Sequence, residues 1–257
     1  MKQFACGHLT VIPLSEGSFT IDRTKMFVPF DPTAHALTDR PTGSLLVEIQ
    51  PFLVQTPWDL LLLDAGLGYQ TGGTLQIHQN IRSAGFRPED VTKVLLTHLH
   101  KDHAGGIGHA PGRSTNEQLA FPNATYYVRR QELDFAWQKG LPSYLTDEIE
   151  PLLHAAQVQL LHEESGVIDG YIRYQHTGGH CPEHQVFWIN ANNNTVFFGG
   201  DVAPQLQQMK VRYKTKYDYD PQRAVDLRQQ WWQEGNAAGW MFLFYHDIKN
   251  PVYTSSV

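Results

Sequence analysis

The sequence predicts a fold of mixed strands and helices, of the α/β or two-sheet kind, and three observations support this prediction. Short apolar runs such as residues 60–63, all leucine, lead directly into glycine-containing turns, as buried strands do. Other segments, of which residues 221–236 are the longest, space their apolar residues as amphipathic helices do. The length of 257 residues is sufficient to bury a large core. We therefore expect residues 1–257 to form a single domain.

The N-terminal quarter is expected to be built from strands. Residues 8–14 and 18–21 have the composition of short strands, and strand patterns resume at 44–54 and 59–63. Between them, the proline-rich segment 22–42 contains an apolar patch without helical spacing. This segment is either an ordinary packed loop or a lid or dimer contact, and a dimer contact would make the protein a homodimer.

Helical and strand patterns alternate in the rest of the chain. The predicted helices are residues 74–85, 130–138, 146–156 and 221–236. The predicted strands are 91–96, 125–129, 158–162, 170–175, 186–189, 195–198 and 240–245. A loop rich in Gly, Pro and Asn, between residues 106 and 123, is in the right place to line a site, and its His109 is expected to be solvated.

The composition is that of an ordinary globular protein. The 20 basic and 26 acidic residues give a net charge of −6, which disfavours binding to the phosphates of nucleic acid. Neither an 18-residue apolar run nor an apolar leader after Met1 is present. The two cysteines, Cys6 and Cys181, are too few for a disulfide framework, although a single bridge between them stays open. We expect a cytoplasmic protein without a nucleic-acid or membrane partner.

Four metal-competent side chains fall within six residues after the apolar run 91–96. In an extended segment, side chains two residues apart point the same way, so His98 and His100 can bind one ion. Asp102 and His103 then turn off toward another ion. A carboxylate next to an imidazole suits zinc, iron or manganese. Most single histidines are structural or exposed, but three with an Asp in six residues are typical of a metal site, and this cluster predicts two adjacent ions.

Further metal-competent residues occur wherever another apolar strand meets a loop. They are Asp64, His180, Asp201 and His246. Strand ends along one edge of a sheet can hold ligands rigidly. Together with the cluster, the chain offers five His and two Asp, enough for two metal ions with an open position for water, and Asp201 could bridge them. Asp64 is either a turn cap or a partner that orients a metal-bound imidazole.

Taken in chain order, this pattern resembles the metallo-β-lactamase fold superfamily. It consists of Asp64-x-Gly66, His98-x-His100-x-Asp102-His103, Gly179-His180, Gly200-Asp201 and His246. The resemblance covers residues 64–246, and the six-residue motif is highly specific. It implies the α+β class and an αββα four-layer sandwich of two β-sheets flanked by helices, with the site at the edge between the sheets. The implied ligands are His98, His100 and His180 for one metal and Asp102, His103 and His246 for the second, with Asp201 as the bridge.

Within the superfamily, the pattern resembles the dinuclear hydrolase branch. An acid, not a Cys, stands at the later ligand position, and the segments 179–185 and 244–247 look like those of lactonase and methyl-parathion-hydrolase-like members. Quorum-sensing lactonases usually place a Tyr three residues after the bridging Asp, where this chain has Pro204. Tyr213, Tyr217 or Tyr219 could supply a phenol instead.

The resemblance implies a hydrolase of small molecules that holds two divalent ions, with zinc expected and iron or manganese as alternatives. Two such ions convert a bound water to hydroxide, which would attack an ester, lactone, thioester or phosphoester. Asp102 is expected to shuttle the proton, while Asp64 and His184 orient ligand imidazoles from behind. The alternatives are an iron-dependent oxidoreductase of the same fold and a phosphoester or phosphotriester hydrolase. Residues 210–217, which alternate basic with other residues, either hold an anionic substrate group or form a solvated face.

Overall fold

Two β-sheets pack face to face at the centre of the molecule, and helices cover the outer face of each. The structure, a computed structural model, describes residues 1–108 and 119–255. Three apolar cores separate the layers in the order helix, sheet, sheet, helix. The predicted α+β class and the αββα sandwich are confirmed.

The strands in chain order are β1 (Phe4–Cys6), β2 (Leu9–Pro13), β3 (Gly17–Ile21), β4 (Phe27–Pro29), β5 (Leu45–Ile49), β6 (Phe52–Gln55), β7 (Leu60–Leu63), β8 (Gln70–Thr71), β9 (Thr74–Leu75), β10 (Lys93–Leu95), β11 (Thr125–Arg129), β12 (Val158–Leu161), β13 (Ser165–Ile168), β14 (Ile172–His176), β15 (Gln185–Ala191), β16 (Asn194–Phe198), β17 (Met241–Leu243) and β18 (Val252–Thr254). The α-helices are α1 (Gln76–Ser83), α2 (Lys101–Ala104), α3 (Arg130–Lys139), α4 (Thr146–Ile149), α5 (Pro151–His154), α6 (Leu206–Lys210) and α7 (Pro221–Ala238). Short 3-10 helices occupy Leu37–Asp39, Pro88–Asp90 and Gly200–Val202.

The first sheet has seven strands in the order β1-β2-β6-β7-β10-β11-β12. Strands β1, β2, β6 and β7 form an antiparallel half, whereas β7, β10, β11 and β12 run parallel to one another. Parallel strands need long crossovers, and α1 and α3 lie in two of them. The carboxyl ends of β7 and β10 therefore lie side by side.

The second sheet has six strands in sequence order from β13 to β18. Strands β14 and β16 are both antiparallel to β15, and β16 and β17 are parallel to each other across the long helix α7. The strands β14, β16 and β17 therefore all end at the same edge of this sheet. A chain that leaves any of these three strands enters the same region of the molecule.

The alternation of side chains along each strand produces the layers. In β7, Leu61 and Leu63 belong to the core between the sheets, whereas Leu60 and Leu62 belong to the core beneath α1 and α3. Strand β15 alternates in the same way between the central core and the core beneath α7. An all-apolar strand is thus explained by burial on both faces.

Several predicted elements differ in detail from the observed ones. Residues 44–54, predicted as one strand, form β5 in a separate three-stranded sheet (β4-β3-β5) and β6 in the first sheet, because the chain changes sheets at Pro51, which has no N–H to donate. The predicted helix 146–156 is two short helices, with Pro151 at the first position of the second. Strand β13 and helix α6 had not been predicted from the sequence.

Two observations concern the predicted compartment. Within residues 1–108 and 119–255, no helix is long and apolar enough to cross a membrane. Cys6 and Cys181 are both buried and free, so the alternative of a bridge between them is wrong.

Candidate metal centre

Five strand ends deliver the predicted side chains to one region between the two sheets. Asp64 follows β7, and residues 98–103 follow β10, its parallel neighbour in the first sheet. His180, Asp201 and His246 follow β14, β16 and β17, whose ends share an edge of the second sheet. Each sheet alone supplies only part of this cluster, and their packing completes it.

The seven residues predicted as ligands form two groups. The candidate ligand atoms within each group lie within 4.8 Å of one another. The first group is His98, His100, His180 and Asp201, and the second group is Asp102, His103 and His246. In the first group, Nδ1 of His100 lies 2.9 Å from Nε2 of His98 and 3.1 Å from Nε2 of His180. A tetrahedral ion with bonds of about 2.0–2.1 Å separates its ligands by roughly 3.3 Å, so this spacing fits a metal.

Asp201 lies between the two groups with one carboxylate oxygen toward each. Its Oδ2 is 3.3 Å from Nε2 of His180, and its Oδ1 is 3.1 Å from Nε2 of His103 and 3.0 Å from Nε2 of His246. Oδ1 of Asp201 and Nε2 of His103 are buried without a well-aligned hydrogen bond to any described residue. Buried polar atoms are rarely left in this state, and a shared cation would satisfy both.

The two imidazoles of the second group are held from behind by buried acceptors. Nδ1 of His103 donates to Oδ2 of Asp64 at 2.7 Å, and Nδ1 of His246 donates to the main-chain oxygen of Glu48 at 2.7 Å. With Nδ1 donating, Nε2 of each ring is the atom that faces the group. This carboxylate–imidazole arrangement is the one that orients metal-binding histidines.

Two imidazoles of the first group also have a partner at Nδ1, which is a carboxylate for His180 and a hydroxyl for His98. Nδ1 of His180 lies 3.1 Å from Oδ1 of Asp218, a side chain that is only 2% exposed. The hydroxyl of Thr97 donates to Asp64 and lies 3.0 Å from Nδ1 of His98. Asp64 therefore contacts the second group directly through His103 and the first group indirectly through Thr97 and His98.

The turn after Asp64 lies against the loop after His103, and this close approach explains Gly105 and Gly106. Asp64 has a φ of +54°, and its carboxylate accepts the Thr97 amide at 2.7 Å, so it caps the turn as well as contacting His103. The amide of Ala65 donates to the oxygen of His103 at 2.7 Å. A Cβ on Gly105 or Gly106 would collide with the main chain of residues 65–67. Only glycine allows these two loops to approach so closely.

The short helix α2 separates the two halves of the predicted cluster. His100 is extended, with ψ of 147°, and the amides of His103 and Ala104 bond to its main-chain oxygen at 2.8 Å and 2.9 Å. The helical turn places Asp102 and His103 in the second group, while the rings of His98 and His103 stay 4.2 Å apart between their centres, so the two groups adjoin.

The carboxylates and imidazoles of the centre shift one another's pKa values. Burial opposes protonation of His103 and His246, but the carboxylate of Asp201, with Asp102, raises the pKa of both imidazoles. Burial favours the neutral acid at Asp201, yet the charges of His246 and His103 hold its pKa well below the usual range. Burial lowers the pKa of His98 and His100. A metal that binds the second group must therefore displace protons.

His184, which was predicted to orient a ligand imidazole, contacts the main chain of Asp201. Its Nε2 accepts the Asp201 amide at 3.2 Å, so Nδ1 donates to the hydroxyl of Thr177 at 2.9 Å. Burial lowers the pKa of His184 well below the usual range, which keeps this tautomer neutral. The ring thus bonds to the main chain of Asp201 and lies 5.0 Å from the ring of His98, and its predicted role in orienting a ligand imidazole stays a prediction.

Three buried residues that touch the centre had not been predicted from the sequence. Glu132 accepts the amide of Leu99 at 2.9 Å, and burial raises the pKa of this carboxyl to about 7. Tyr245 donates its hydroxyl to the main-chain oxygen of Asp102 at 2.6 Å and stacks on the ring of His103. Asp218 is the third. Glu132 could have been found as an acid on the apolar face of α3, but Asp218 lies in a loop without any periodic pattern.

A cavity of about 1080 Å³ opens above the two groups. His100, Asp102, His180, Asp201 and His246 line it. Its apolar wall is formed by Ile21, Phe27, Leu45, Leu46, Val47 and Phe135. Asp22, Arg23, Lys25 and Phe27 of segment 22–42 therefore line the cavity, and the predicted dimer contact of this segment stays a prediction.

The sequence left alternatives open for three tyrosines and for the basic segment 210–217, and both lie at the cavity. Tyr213, Tyr217 and Tyr219 all line the cavity, together with Lys216. Residues 210–217 begin at the end of α6 and continue as an exposed loop around the buried Thr215. Their interpretation as a purely solvated face is incomplete, since several of these side chains face the cavity. His109 lies outside the described residues.

The chain matches the model of the metallo-β-lactamase superfamily over residues 49–249. Among curated proteins, an N-acyl homoserine lactonase, AttM of Agrobacterium fabrum, is 34% identical over 123 residues. This match includes 44% of the chain and covers 41% of the length of that relative.

Solved structures share the fold over almost the whole chain. A probable metal-dependent hydrolase from Staphylococcus aureus superposes with a TM-score of 0.78 at 21% identity, covering 98% of this chain and 94% of the other. AidC, described as a dizinc quorum-quenching lactonase in complex with a product, superposes with a TM-score of 0.71 at 21% identity, covering 100% and 93%. Since the family match spans most of its residues, and its strand ends assemble the side chains of the family motif, this chain belongs to the metallo-β-lactamase superfamily.

Proposed function

We propose that this chain is a metal-dependent hydrolase, whose single domain over residues 1–257 uses two divalent ions to cleave an ester, lactone or related bond of a small molecule. One observation carries the proposal. The carboxylate of Asp201 presents Oδ2 to the first group at 3.3 Å and Oδ1 to the second at 3.0 Å, beneath an open cavity. Two carboxylate oxygens shared in this way fit two adjacent ions.

The proposed ligands are the members of the two groups, and zinc is the proposed metal. The first ion would be held by His98, His100 and His180, the second by Asp102, His103 and His246, and both by Asp201. Imidazole and carboxylate donors with their far nitrogens fixed suit zinc, and the dizinc relative supports that choice. Ions bound here would supply an activated water and would stabilise negative charge on a substrate oxygen.

Asp102 is the proposed proton carrier. Its Oδ2 is 3.7 Å from Nε2 of His103 and 3.6 Å from Nε2 of His246, so it is held less closely than Asp201. Its side chain is 11% exposed and borders the cavity. A carboxylate in this position can accept a proton from the attacking water and pass it to the leaving group.

The substrate class proposed first is a lactone or carboxyl ester. The lactonase relatives in the curated comparison support it. The cavity offers Tyr213, Tyr217 and Tyr219 as phenols in place of the residue missing at Pro204. Any of these hydroxyls could donate a hydrogen bond to the carbonyl or to the leaving oxygen.

Metal analysis of untreated protein, followed by assays on lactones, carboxyl esters, thioesters and phosphotriesters, tests the proposal. We expect two zinc ions per chain and turnover of at least one activated lactone or ester. Two zinc ions without any turnover would contradict the substrate classes. Bound iron in place of zinc would favour the oxidoreductase alternative.

The role of Asp102 has its own test. Asp102→Asn is expected to lower turnover by a factor of about 100 or more, because the amide cannot accept the proton, while most of the metal is retained. The control is Asp226→Asn, an exposed position on α7. Full activity in the Asp102 variant would contradict the proposed role.

A cytoplasmic location remains part of the proposal. The two cysteines are free and buried, which suits a reducing compartment.

A further inference from the structure

Two half-buried lysines line the cavity, Lys25 and Lys101, and neither is in an ion pair within the described part of the chain. Lys93 shows the usual arrangement at comparable burial: its Nζ lies 2.6 Å from Asp59 and 3.0 Å from Asp169. Fully buried lysines are almost always paired in this way, whereas a half-buried lysine can bury its stem and present an unpaired ammonium to the space beside it. The described part of the chain therefore places no carboxylate in ion-pair contact with either lysine, although Asp102 and Glu148 act on Lys101 from farther away.

Lys25 is held over the cavity by a strained turn. The carboxylate of Asp22 accepts the Thr24 amide at 2.8 Å, and the amide of Lys25 donates to the oxygen of Asp22 at 3.1 Å. Lys25 itself has a φ of +61°, which is uncommon for a residue other than glycine. Its ammonium lies 5.8 Å from the centre of the Tyr217 ring. Strain of this kind is often retained because it positions a functional side chain.

Lys101 approaches the same space from the metal centre. It follows His100 directly, and its ammonium lies 5.6 Å from the centre of the Phe27 ring, in the apolar wall. Burial lowers the pKa of Lys101, the carboxylates of Asp102 and Glu148 raise it less, and the charge of Lys25 adds a smaller repulsion that also acts on His100. Two like charges beside a site that would bind cations are unfavourable unless an anion lies between them.

Further exposed side chains at the rim of the cavity are also positive. Arg23, Lys139 and Lys216 are exposed at its rim, although the chain as a whole has a net charge of −6. The acids among the described lining residues are Asp22, Asp102, Asp201 and Asp218. Asp22 is engaged in its turn, and the other three belong to the metal centre or to its histidines. The field of the cavity therefore favours an anionic ligand.

We propose that Lys25 and Lys101 form an anion subsite, and that the substrate is an amphiphilic anion: an ester or lactone whose apolar body ends in a carboxylate. The bond to be cleaved would lie at the metal centre, the body against the apolar wall, and the carboxylate between the two ammonium groups. This inference rests on the proposed function. The subsite would favour anionic esters and lactones over neutral ones of the same length, which a neutral apolar pocket would bind equally.

A matched pair of esters tests the preference in the zinc-loaded protein. Mono-4-nitrophenyl octanedioate ends in a carboxylate, whereas 4-nitrophenyl octanoate has the same chain length and ends in a methyl group. We expect kcat/KM to be about tenfold higher for the anionic ester, mostly through KM, and this advantage should shrink as salt is added. Lys25→Gln should remove most of it, Lys101→Gln should remove part with the metal content checked, and the exposed control Lys249→Gln should leave it unchanged. Equal kcat/KM for the two esters in the wild type overturns the subsite.

Binding separates this inference from the proposed function. Octanedioate can place one carboxylate at the metal centre and one at the lysines, whereas octanoate can reach only one of them. Calorimetry should show octanedioate binding about tenfold more tightly than octanoate in the wild type and in Lys249→Gln, but not in Lys25→Gln. If no ester or lactone is hydrolysed and this difference persists, the proposed function fails and the subsite stands. If esters are hydrolysed but the binding difference is absent, the subsite fails alone.

Discussion

The two ligand groups are built from different parts of the molecule, although Asp201 joins them. The second group is fixed by the buried sheets: His103 bonds to Asp64 at the end of β7, and His246 bonds to the main chain of β5. The first group depends partly on loops, because His180 is held by Asp218, which lies in the loop before α7. That loop also carries the tyrosines of the cavity wall. The difference indicates a rigid second site and a first site coupled to the substrate wall.

The largest effect is expected at Asp201, the residue that the two ligand groups share. Asp201→Ala removes the carboxylate that faces both groups, so we expect fewer than one ion per chain and a fall in kcat of about 1000-fold or more. His246→Ala should weaken only the second site and leave the residues of the first group intact. Metal analysis and circular dichroism measure occupancy and folding. Retention of two ions by the Asp201 variant would show that the two groups do not share it.

The next effect is specific to the second group. Asp64→Asn keeps the shape of the turn, and Asn tolerates positive φ, but the negative charge behind His103 is lost. We expect the affinity of the second site for zinc to fall roughly 10- to 100-fold, with the first site less affected. Competition with a chelator measures both affinities. Equal loss at the two sites would remove the distinction between them.

A smaller effect is expected at the first group. Asp218→Asn leaves an acceptor for Nδ1 of His180 but removes its charge, so zinc affinity at the first site should fall about tenfold. Because Asp218 lies in the loop of the cavity wall, KM should rise as well. The same change at exposed Asp226 is the control. A weakened second site in the Asp218 variant would argue against separate support of the two groups.

The smallest effect concerns stability behind the second group. Burial raises the pKa of Glu16 to about 8, while the amide of Leu67, which it accepts at 2.6 Å, lowers it less. The folded pKa exceeds the unfolded value, so the stabilisation is complete below pH about 4.5 and is lost as the pH rises toward 8. Glu16→Gln should abolish this slope and stabilise the protein at neutral pH by about 2 kcal/mol.

Denaturant titrations between pH 4.5 and 8 measure that slope, and Glu234→Gln, an exposed position on α7, is the control. An unchanged slope in the Glu16 variant would mean that this carboxyl ionises normally in the folded protein. Activity at neutral pH should not change, because Glu16 touches the turn and not the cavity.

The predicted ligand set illustrates what a sequence can predict about such a centre. Residues 98–103 are close in the chain, and Asp201 and His246 each follow an apolar strand, so their meeting required only that the strands end at a common edge. The ligand roles themselves stay a prediction. His184 shows the limit: its ring lies 5.0 Å from that of His98, but the turn after β16 also brings the amide of Asp201 to its Nε2, a contact that the sequence did not predict.

Of the positions that sequence reasoning did not find, Asp218 has no local signal, and Glu132 is marked only by its place on the apolar face of α3. Asp218 and Glu132 touch the centre from a loop and from the inner face of α3, 38 residues from His180 and 33 from Leu99. The contact of His246 is to a main-chain oxygen, which any residue at position 48 would supply. Such contacts depend on how elements pack, because neither spacing nor residue type encodes them.

The amino-acid sequence was enough to predict that metal-competent side chains lie at strand ends and, through apolar alternation, that the fold is layered and of the α+β class. These follow from local rules, since side-chain direction along a strand and the need for glycine in a close turn are properties of a few adjacent residues. The packing of distant elements sets which acid contacts which histidine, and it brings Lys25 and Lys101, 76 positions apart in the chain, to the wall of one cavity. Burial and charge balance are set by elements that are distant in the sequence. A sequence can therefore predict a metal-binding fold, whereas the charges that would select the substrate are seen only in the structure.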